Sequence, residues 1–307
     1  MTSQSPIPPL PRLGVGTWAW GDRRVWGFEG EYGRPQVEQA FWASLEAGLT
    51  LFDTAEVYGF GTSERILGEL VRQSQRSLSI ATKYAPFRLG SRRLLRALDG
   101  SLARLGLPQV DLYQIHFPPL FTRLEGLLDV LAEAALSGKA KAVGVSNFNA
   151  RQMRIAQEVL SRRGVALTSN QVEYSLLDRT PEADGVLRAC RELGVTLIAY
   201  SPLAMGWLSG KYDPGEKRLP RRLHRYLGAH GPERLAATLQ LLREIASRLG
   251  RTPSQVALNW LLQQPGVIVI PGAKNAQQAA DNAAALGWEL PPEDVLALDQ
   301  VTRRPRS

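Results

Sequence analysis

The chain has 307 residues, 44% of them hydrophobic and 21% charged, with one cysteine, a formal charge of +8 and no apolar run of bilayer length, so disorder, a disulfide framework and a membrane span are not expected. The opening "MTSQSPIPPLPRLG" is polar and proline-rich rather than a basic-then-apolar leader, and the protein is expected to be cytoplasmic. The arginines are scattered over helical stretches and the tail without interleaved aromatics, so the positive balance reads as a solvated surface that favours anionic ligands, not as a nucleic-acid interface.

The first β-rich segment is "LGVGTW", from residue 13. Residues 14–19 fit G-x-G-x-x-A, but a dinucleotide fingerprint must open a helix, and "WGDRRVWGFEGEYGRP" has no helical period. The aromatics here, Trp18, Trp20, Trp26 and Phe28, are expected to line or roof a site, with plain packing the competing reading. "PQVEQAFWASLEAG" then shows helical spacing and leads to "LTLFD" (49 onward), which ends on Asp53 with Tyr58 five residues later. "LSIATK" (78) ends on Lys83, "VDLYQIH" (110) on His116, and "AVGVSN" (142) on Ser146 and Asn147. "LTSNQVEY" (167) carries Gln171, "VTLIAY" (195) ends on Tyr200, and "VIVIPG" (267) completes the series. The stretches "SRRLLRALDGSLARLG", "LEGLLDVLAEAALSG" and "NARQMRIAQEVLS" place apolar residues three and four apart, and Gly48, Gly106, Gly138, Gly194 and Gly250 close helices. Thr252-Pro253-Ser254-Gln255 reads as a helix start.

From the second strand onward, strand starts lie 25 to 32 residues apart, until a gap of about 70 residues before the last. Eight strand–helix units predict an α/β fold, a single-domain (β/α)8 TIM barrel over residues 1–307, although strand count alone does not separate a closed barrel from a doubly wound sheet. The gap contains a long basic loop, residues 201–232, before the last helix–strand unit; a segment of that length suits a lid. Cys190 lies in a helical stretch without metal-site companions and reads as a buried structural thiol.

In a parallel barrel the carboxyl ends of all strands meet at one mouth. Taken singly, Asp53 reads as a turn former, Lys83 as a solvated lysine, His116 as a satisfied loop histidine and Ser146-Asn147 as a helix cap. Jointly, in register with the repeat, they read as a site. A tyrosine ionises near pH 10, so Tyr58 delivers a proton at neutral pH only if its phenolate is stabilised; Lys83, kept charged by Asp53, supplies that. His116 can hydrogen-bond an oxygen that becomes alkoxide-like. The set fits carbonyl reduction, with hydride from a nicotinamide or flavin, since side chains cannot donate hydride. Two other classes compete: a Schiff-base lyase using Lys83, which would need neither Tyr58 nor Ser146, Asn147 and Gln171, and a non-catalytic cofactor-binding sensor or partner subunit.

The segments "GVGTW", "FDTAEVYG" with "SERILGE", "ATK", "LARLGLPQVDLYQIH", "GKAKAVGVSNF", "NQVEYSLL", "IAYSPLAMGWLSGK" and "IPGAKNAQQAADNAAAL" run through nearly the whole chain, which resembles the aldo-keto reductases. The resemblance implies NADPH-dependent reduction of an aldehyde or ketone to the alcohol by a catalytic set of Asp53, Tyr58, Lys83 and His116. It puts Ser146, Asn147 and Gln171 on the nicotinamide carboxamide and Tyr200 on the nicotinamide ring. Ser201, Pro202, Leu203, Gly206 and Lys211 would cover the pyrophosphate, and Gly272, Lys274, Gln278 and Asn282 would carry the adenine ribose end. Gly16, Thr17 and Trp18 complete the implied cofactor set, beside Asp53. Trp18, Trp20, Tyr58, Tyr84, His116 and Phe117 form the expected substrate pocket, and no metal is expected. Many members of the family hold the 2′-phosphate with a basic–hydroxyl pair and a later arginine. This chain has Gly272 and Ala273, then Lys274, with Gln278 in the arginine's place. Lys274 can still meet a phosphate as a point charge, so NADPH is expected, with NADH the other option. The expected partner is a small-molecule carbonyl substrate, with no nucleic acid and no membrane. Its identity would rest on the loops 19–34, 117–123 and 201–232 and the tail after Leu298, which carry no substrate signature.

Overall fold

The computed structural model describes residues 10–87, 90–216 and 218–303; most of the proline-rich opening (1–9), Lys217 of the basic segment and the end of the tail (304–307) lie outside the described residues. All eight expected strands form: β1 (Val15–Gly16), β2 (Leu51–Asp53), β3 (Ser79–Tyr84), β4 (Val110–Ile115), β5 (Ala140–Ser146), β6 (Leu167–Glu173), β7 (Thr196–Tyr200) and β8 (Val267–Val269). Each pairs in parallel with the next in chain order. Gly14 N donates to Val269 O and Gly16 N to Pro271 O, both at 2.9 Å, and these bonds join the first edge to the last. The sheet is therefore a (β/α)8 barrel with no doubly wound reversal of strand order.

Helices follow the strands where the period of three to four places them, among them Arg34–Glu46, Arg93–Leu105, Leu124–Leu136 and Ala150–Arg162. The expected helix start at Thr252 forms: its hydroxyl accepts from Gln255 N at 3.2 Å while Gln255 Oε1 accepts from Thr252 N at 3.3 Å. No helix opens at the G-x-G-x-x-A sequence; Thr17 to Gly33 run as turns and bends. Cys190 is buried in Val186–Leu193, and burial pushes its thiol up to about 12, which leaves it inert.

Strand alternation divides the apolar residues into two layers. Leu51, Ala81, Leu112, Ala142, Ile198 and Ile268 form a small cluster inside the barrel, whereas Phe52, Ile80, Tyr113, Val143, Leu197 and Val269 join the large cluster under the helices. Two residues further along each strand, the same inward face carries Asp53 after Leu51, Lys83 after Ala81, Gln114 then His116 after Leu112, Gly144 then Ser146 after Ala142, and Tyr200 after Ile198. The apolar plug at one level thus fixes which residues face the axis at the next.

The expectation of one irregular loop over 201–232 is corrected. The segment folds into 3-10 turns at Ala204–Ser209 and Arg221–Leu223 and a helix at His224–His230. The cause is apolar: Trp207, Leu208, Leu223 and Tyr226 are buried, and Trp207 Nε1 donates to Leu223 O at 3.0 Å, pinning the two turns together.

Gly144 marks where the plug gives way to polar side chains. A Cβ there would lie 2.2 Å from Ser169 Oγ and 3.0 Å from Ser169 O, so no side chain fits between β5 and β6. Gly144→Ala is expected to lower unfolding free energy by about 1–3 kcal/mol, from overpacking. Urea denaturation checks this, and part of the loss should return in the double variant with Ser169→Ala, which removes the closest atom.

Candidate active site

Lys83 is fully buried. Its ammonium donates to the Asp53 carboxylate, to Thr54 O at 2.9 Å and to Tyr58 Oη at 3.3 Å. Burial works against the charge, but the attraction of Asp53 and then of Tyr58 outweighs it and holds the lysine pKa above its ordinary value. The second oxygen of Asp53, Oδ2, accepts from Gln171 Nε2 at 2.9 Å and Gln114 Nε2 at 3.4 Å. A buried carboxylate without such partners would be strongly destabilising.

Tyr58 opens the turn Tyr58–Gly61, which packs against the loop after β1. Gly59 has φ of 55°, and a Cβ there would stand 2.5 Å from Gly21 O, so only glycine allows this approach. Burial raises the Tyr58 pKa; the Lys83 ammonium pulls it down and Asp53 adds a further rise, with a net upward shift. Lys83 therefore moderates the phenol without governing it, and Tyr58 carries its proton at neutral pH. His116 meets the Tyr58 ring edge-on with centroids 5.6 Å apart. Burial first and the Lys83 charge second lower its pKa to about 3, so it is a neutral imidazole. Its Nδ1 is buried with no partner among the described residues.

A second polar arc lines the other side of the mouth. Tyr200 Oη donates to Asn147 Oδ1 at 3.1 Å, and Asn147 Nδ2 donates to His116 O and Ser146 Oγ, both at 3.1 Å. Ser146 Oγ donates to Gln171 O at 2.8 Å, so the arc runs back to Gln171 and through it to Asp53. Gln171 Oε1 accepts no bond from a described residue. Three non-glycine residues after β7, Ser201, Ala204 and Met205, have φ between 48° and 58°, and Asn147 has φ of 60°. Such conformations cost energy and persist where surrounding structure enforces them. Pro202 is buried beneath this turn; Leu203 and Gly206 are half-buried within it.

Beyond β8, Lys274 Nζ donates to Trp26 O at 3.3 Å and lies over the rings of Trp26, at 4.8 Å, and Tyr32, at 4.5 Å. Arg222 lies 5.3 Å from the same Trp26 ring. Burial and the charges of Arg222 and Lys211 outweigh Glu31 and lower the Lys274 pKa to about 8. Lys211 is exposed. Gln278 Oε1 accepts from Lys274 N at 2.9 Å, and Asn282 Nδ2 donates to Gly272 O at 3.1 Å, so both hold the backbone turn that carries Lys274.

Several expectations are corrected. Trp20 is not in the pocket: it is fully buried against Phe41 and Phe52, and its Nε1 donates to Ala273 O at 2.8 Å. Phe28 is likewise buried, while Trp18 and Trp26 are half-buried and pack edge to face at 5.7 Å. Tyr84, one residue past Lys83, falls on the opposite strand face and packs in the outer cluster. The Thr17 side chain is fully buried, donating to Asp53 O at 2.9 Å and sharing a hydrogen bond with Ser63 Oγ at 2.7 Å; it braces the strand end from behind. Gly16 N is taken by Pro271 O. Trp18 stacks on Tyr58 at 6.1 Å, and Phe117 stacks on His116 at 4.4 Å, so both rings stand beside that pair.

Sequence reasoning missed Gln114 and Arg222. Gln114 was findable, since it precedes His116 by two residues and so shares its face. Arg222 was not, because its approach to Trp26 depends on how 201–232 folds. Among the described residues no His, Cys, Asp or Glu group could hold a metal ion, and no helix is long and apolar enough to cross a membrane.

The depressed His116 has a pH consequence. Between its ordinary value of 6.5 and about 3, the unfolded chain binds a proton that the folded chain refuses, so this group's contribution to stability is complete above 6.5 and declines as pH falls. His116→Asn should flatten the fall in urea midpoint between pH 6.5 and 4.5; an unchanged slope would count against a neutral buried imidazole.

Comparison with known proteins places the chain in a family. The model of the Aldo/keto reductase family matches residues 12–303. Pyridoxal reductase, chloroplastic, of Arabidopsis thaliana is 38% identical over 306 residues, covering 95% of this chain and 83% of that protein. The NADH-specific methylglyoxal reductase of Escherichia coli is 30% identical over 319 residues, covering 95% and 94%. Among solved structures, an aldo-keto reductase from Klebsiella pneumoniae in complex with NADPH superposes with a TM-score of 0.76 at 28% identity, covering 97% of this chain and 93% of that one. The match along nearly the whole chain, on a barrel with this mouth, shows that the chain belongs to the aldo/keto reductase family.

Proposed function

We propose that this chain reduces an aldehyde or ketone to the alcohol with NADPH, Tyr58 giving the proton. Membership of the family makes the chain a nicotinamide-dependent oxidoreductase acting on small-molecule carbonyls; the roles of individual residues are the proposal. The observation that carries it is the buried chain Asp53–Lys83–Tyr58, which ends on a protonated phenol beside a neutral His116. The related proteins differ in the carbonyl compounds of their names, and none fixes the substrate of this one.

The mouth suits a phosphate-bearing cofactor. Burial first, and then the charges of Arg222 and Lys211, depress the Lys274 pKa, and a bound anion would offset both. Gln171 Oε1, which accepts no bond from a described residue, is positioned to accept from a carboxamide, next to Ser146 and Asn147. Tyr200 would flank the nicotinamide ring, Ser201 to Gly206 the pyrophosphate and Lys274 the 2′-phosphate. When bound, the reduced nicotinamide supplies the hydride. Tyr58 and neutral His116 hold the carbonyl oxygen, and Tyr58 Oη passes its proton to that oxygen as the alcohol forms. The Lys83 ammonium, at 3.3 Å, stabilises the phenolate left behind until water returns the proton. A Schiff-base role for Lys83 is disfavoured because its nitrogen is fully buried, charged and bonded to Asp53 and Thr54.

Tyr58→Phe keeps the ring and loses the proton, so carbonyl turnover followed by NADPH absorbance should fall by about 10²- to 10⁴-fold. NADPH affinity, read by tryptophan fluorescence, should hold; near-normal turnover would sink the assignment. Lys274→Ala should weaken NADPH by roughly 10- to 100-fold, the worth of a charge-assisted phosphate contact, and leave NADH almost unchanged. Because Lys274 loses its proton near pH 8, the NADPH dissociation constant of the unaltered protein should rise between pH 7 and 9 more steeply than that of NADH. Equal changes for both cofactors would remove Lys274 from the phosphate site.

A further inference from the structure

The connection between β1 and the first helix is organised around one carboxylate. Oδ1 of Asp22 accepts from Val25 N at 2.7 Å and Trp26 N at 3.4 Å, while Oδ2 accepts from Trp18 Nε1 at 3.1 Å. Its backbone oxygen accepts from Phe28 N at 3.1 Å. An aspartate that only closes a turn bonds to backbone a few residues further on. Here the second oxygen also reaches back to an indole. Trp18 is half-buried and belongs to neither apolar cluster of the described residues, so the Asp22 bond and the rings of Tyr58 and Trp26 orient it. The two tryptophans that Asp22 holds face the two halves of the site. Trp18 stacks on Tyr58 at 6.1 Å and 27°. Trp26 O accepts from Lys274 Nζ at 3.3 Å, and that nitrogen lies 4.8 Å from the Trp26 ring. Gly21, just before Asp22, supplies the carbonyl that Gly59 approaches beside Tyr58.

We propose that Asp22 is a positioning residue for both halves of the site: it sets Trp18 as a wall beside Tyr58, and it sets Trp26 as the rest from which Lys274 meets the 2′-phosphate of NADPH. The inference rests on the reading of Tyr58 as the proton donor and of Lys274 as the phosphate contact. A ring stacked on a proton donor limits the directions from which a carbonyl oxygen can reach it, so freeing the indole loosens the substrate. The carboxylate fixes that indole by a charge-assisted bond, stronger than a neutral acceptor would make. At the other end, a flexible lysine is costly to order. One that already rests on a carbonyl and a ring loses less freedom when a phosphate arrives. Asp22 acts on the reaction through these two side chains, and an amide at position 22 separates the two effects. Its single oxygen can take over the bonds from Val25 N and Trp26 N, but its NH2 then points at the indole N–H, donor against donor.

The test measures benzaldehyde turnover with NADPH, and the binding of NADPH and NADH by calorimetry. Asp22→Ala should raise KM for benzaldehyde by roughly 3- to 30-fold with kcat changed less. It should weaken NADPH by roughly 3- to 10-fold and leave NADH within about twofold. Asp22→Asn should keep the rise in KM and restore NADPH affinity; an unchanged KM would overturn the Trp18 half, even where the alanine variant fails to fold. Combined with Trp18→Phe, which keeps a ring and loses the N–H, Asp22→Ala should add no further rise in KM while still weakening NADPH. Combined with Lys274→Ala, it should still raise KM and no longer weaken NADPH. A general loosening of the loop would act alike in every background and on both cofactors, and that result would overturn the proposal. So would KM and NADPH affinity left unchanged by Asp22→Ala. NADPH binding without benzaldehyde turnover by the unaltered protein would instead overturn the reading of Tyr58 and the Trp18 half with it. NADPH affinity unmoved by Lys274→Ala alone would overturn the phosphate reading and the Trp26 half.

Discussion

A carboxylate inside a barrel has to be neutralised from within, and Asp53 imposes that condition on everything around it. One oxygen is paired with the Lys83 ammonium and the other receives amide protons from Gln171 and Gln114, so residues of four strands, β2, β3, β4 and β6, converge on one group. Lys83 can stay charged while fully buried only because Asp53 is there, and Tyr58 receives a positive neighbour only because Lys83 is charged. The same charge lowers the His116 pKa further below its ordinary value, after burial. A pair of this kind adds little net stability over an apolar substitute, since desolvation offsets attraction. Its value lies in placing a positive charge beside two rings that share a pocket, where it pulls both pKa values down, after burial has raised one and lowered the other.

Rigidity in the site is built from behind as well as from the axis. Thr17 donates to the backbone oxygen of Asp53, and Ser63 ties Thr17 to Thr54, whose own oxygen accepts from Lys83. Around the other half of the mouth, Asn147 uses both ends of its amide, toward Tyr200 on one side and His116 O and Ser146 on the other. Its left-handed backbone, and those of Ser201, Ala204 and Met205, put backbone strain at the same rim. By contrast the Lys274–Trp26–Arg222 contact joins three long connecting segments, after β8, β1 and β7, by one aromatic ring that both cations approach. That clasp is partly exposed and carries two like charges, so salt and anions act on it far more than on the buried pair.

What the sequence determined by itself is what a short period and a local rule can carry. Alternation in eight apolar segments settled the strands, and the strand-end residues Asp53, Lys83, His116, Ser146, Asn147, Gln171 and Tyr200 followed, because in a parallel barrel every strand end meets the same axis. The helix start at Thr252 followed from four consecutive residues. Tertiary structure decided wherever neighbours far apart in the chain compete for one side chain. Trp20 and Trp18 are two residues apart in one segment without a period; packing against Phe41 and Phe52 buried the first, and contact with Tyr58 kept the second in the mouth. Closure of the barrel rested on Gly14 and Gly16 meeting residues more than 250 positions away, and the balance on Tyr58 between burial and Lys83 depended on how much water the fold excludes. Arg222 reached Trp26 only because Trp207, Leu208, Leu223 and Tyr226 collapsed the basic segment onto the barrel. Burial and long-range charge depend on the sum of all such neighbours, and no stretch of sequence contains that sum.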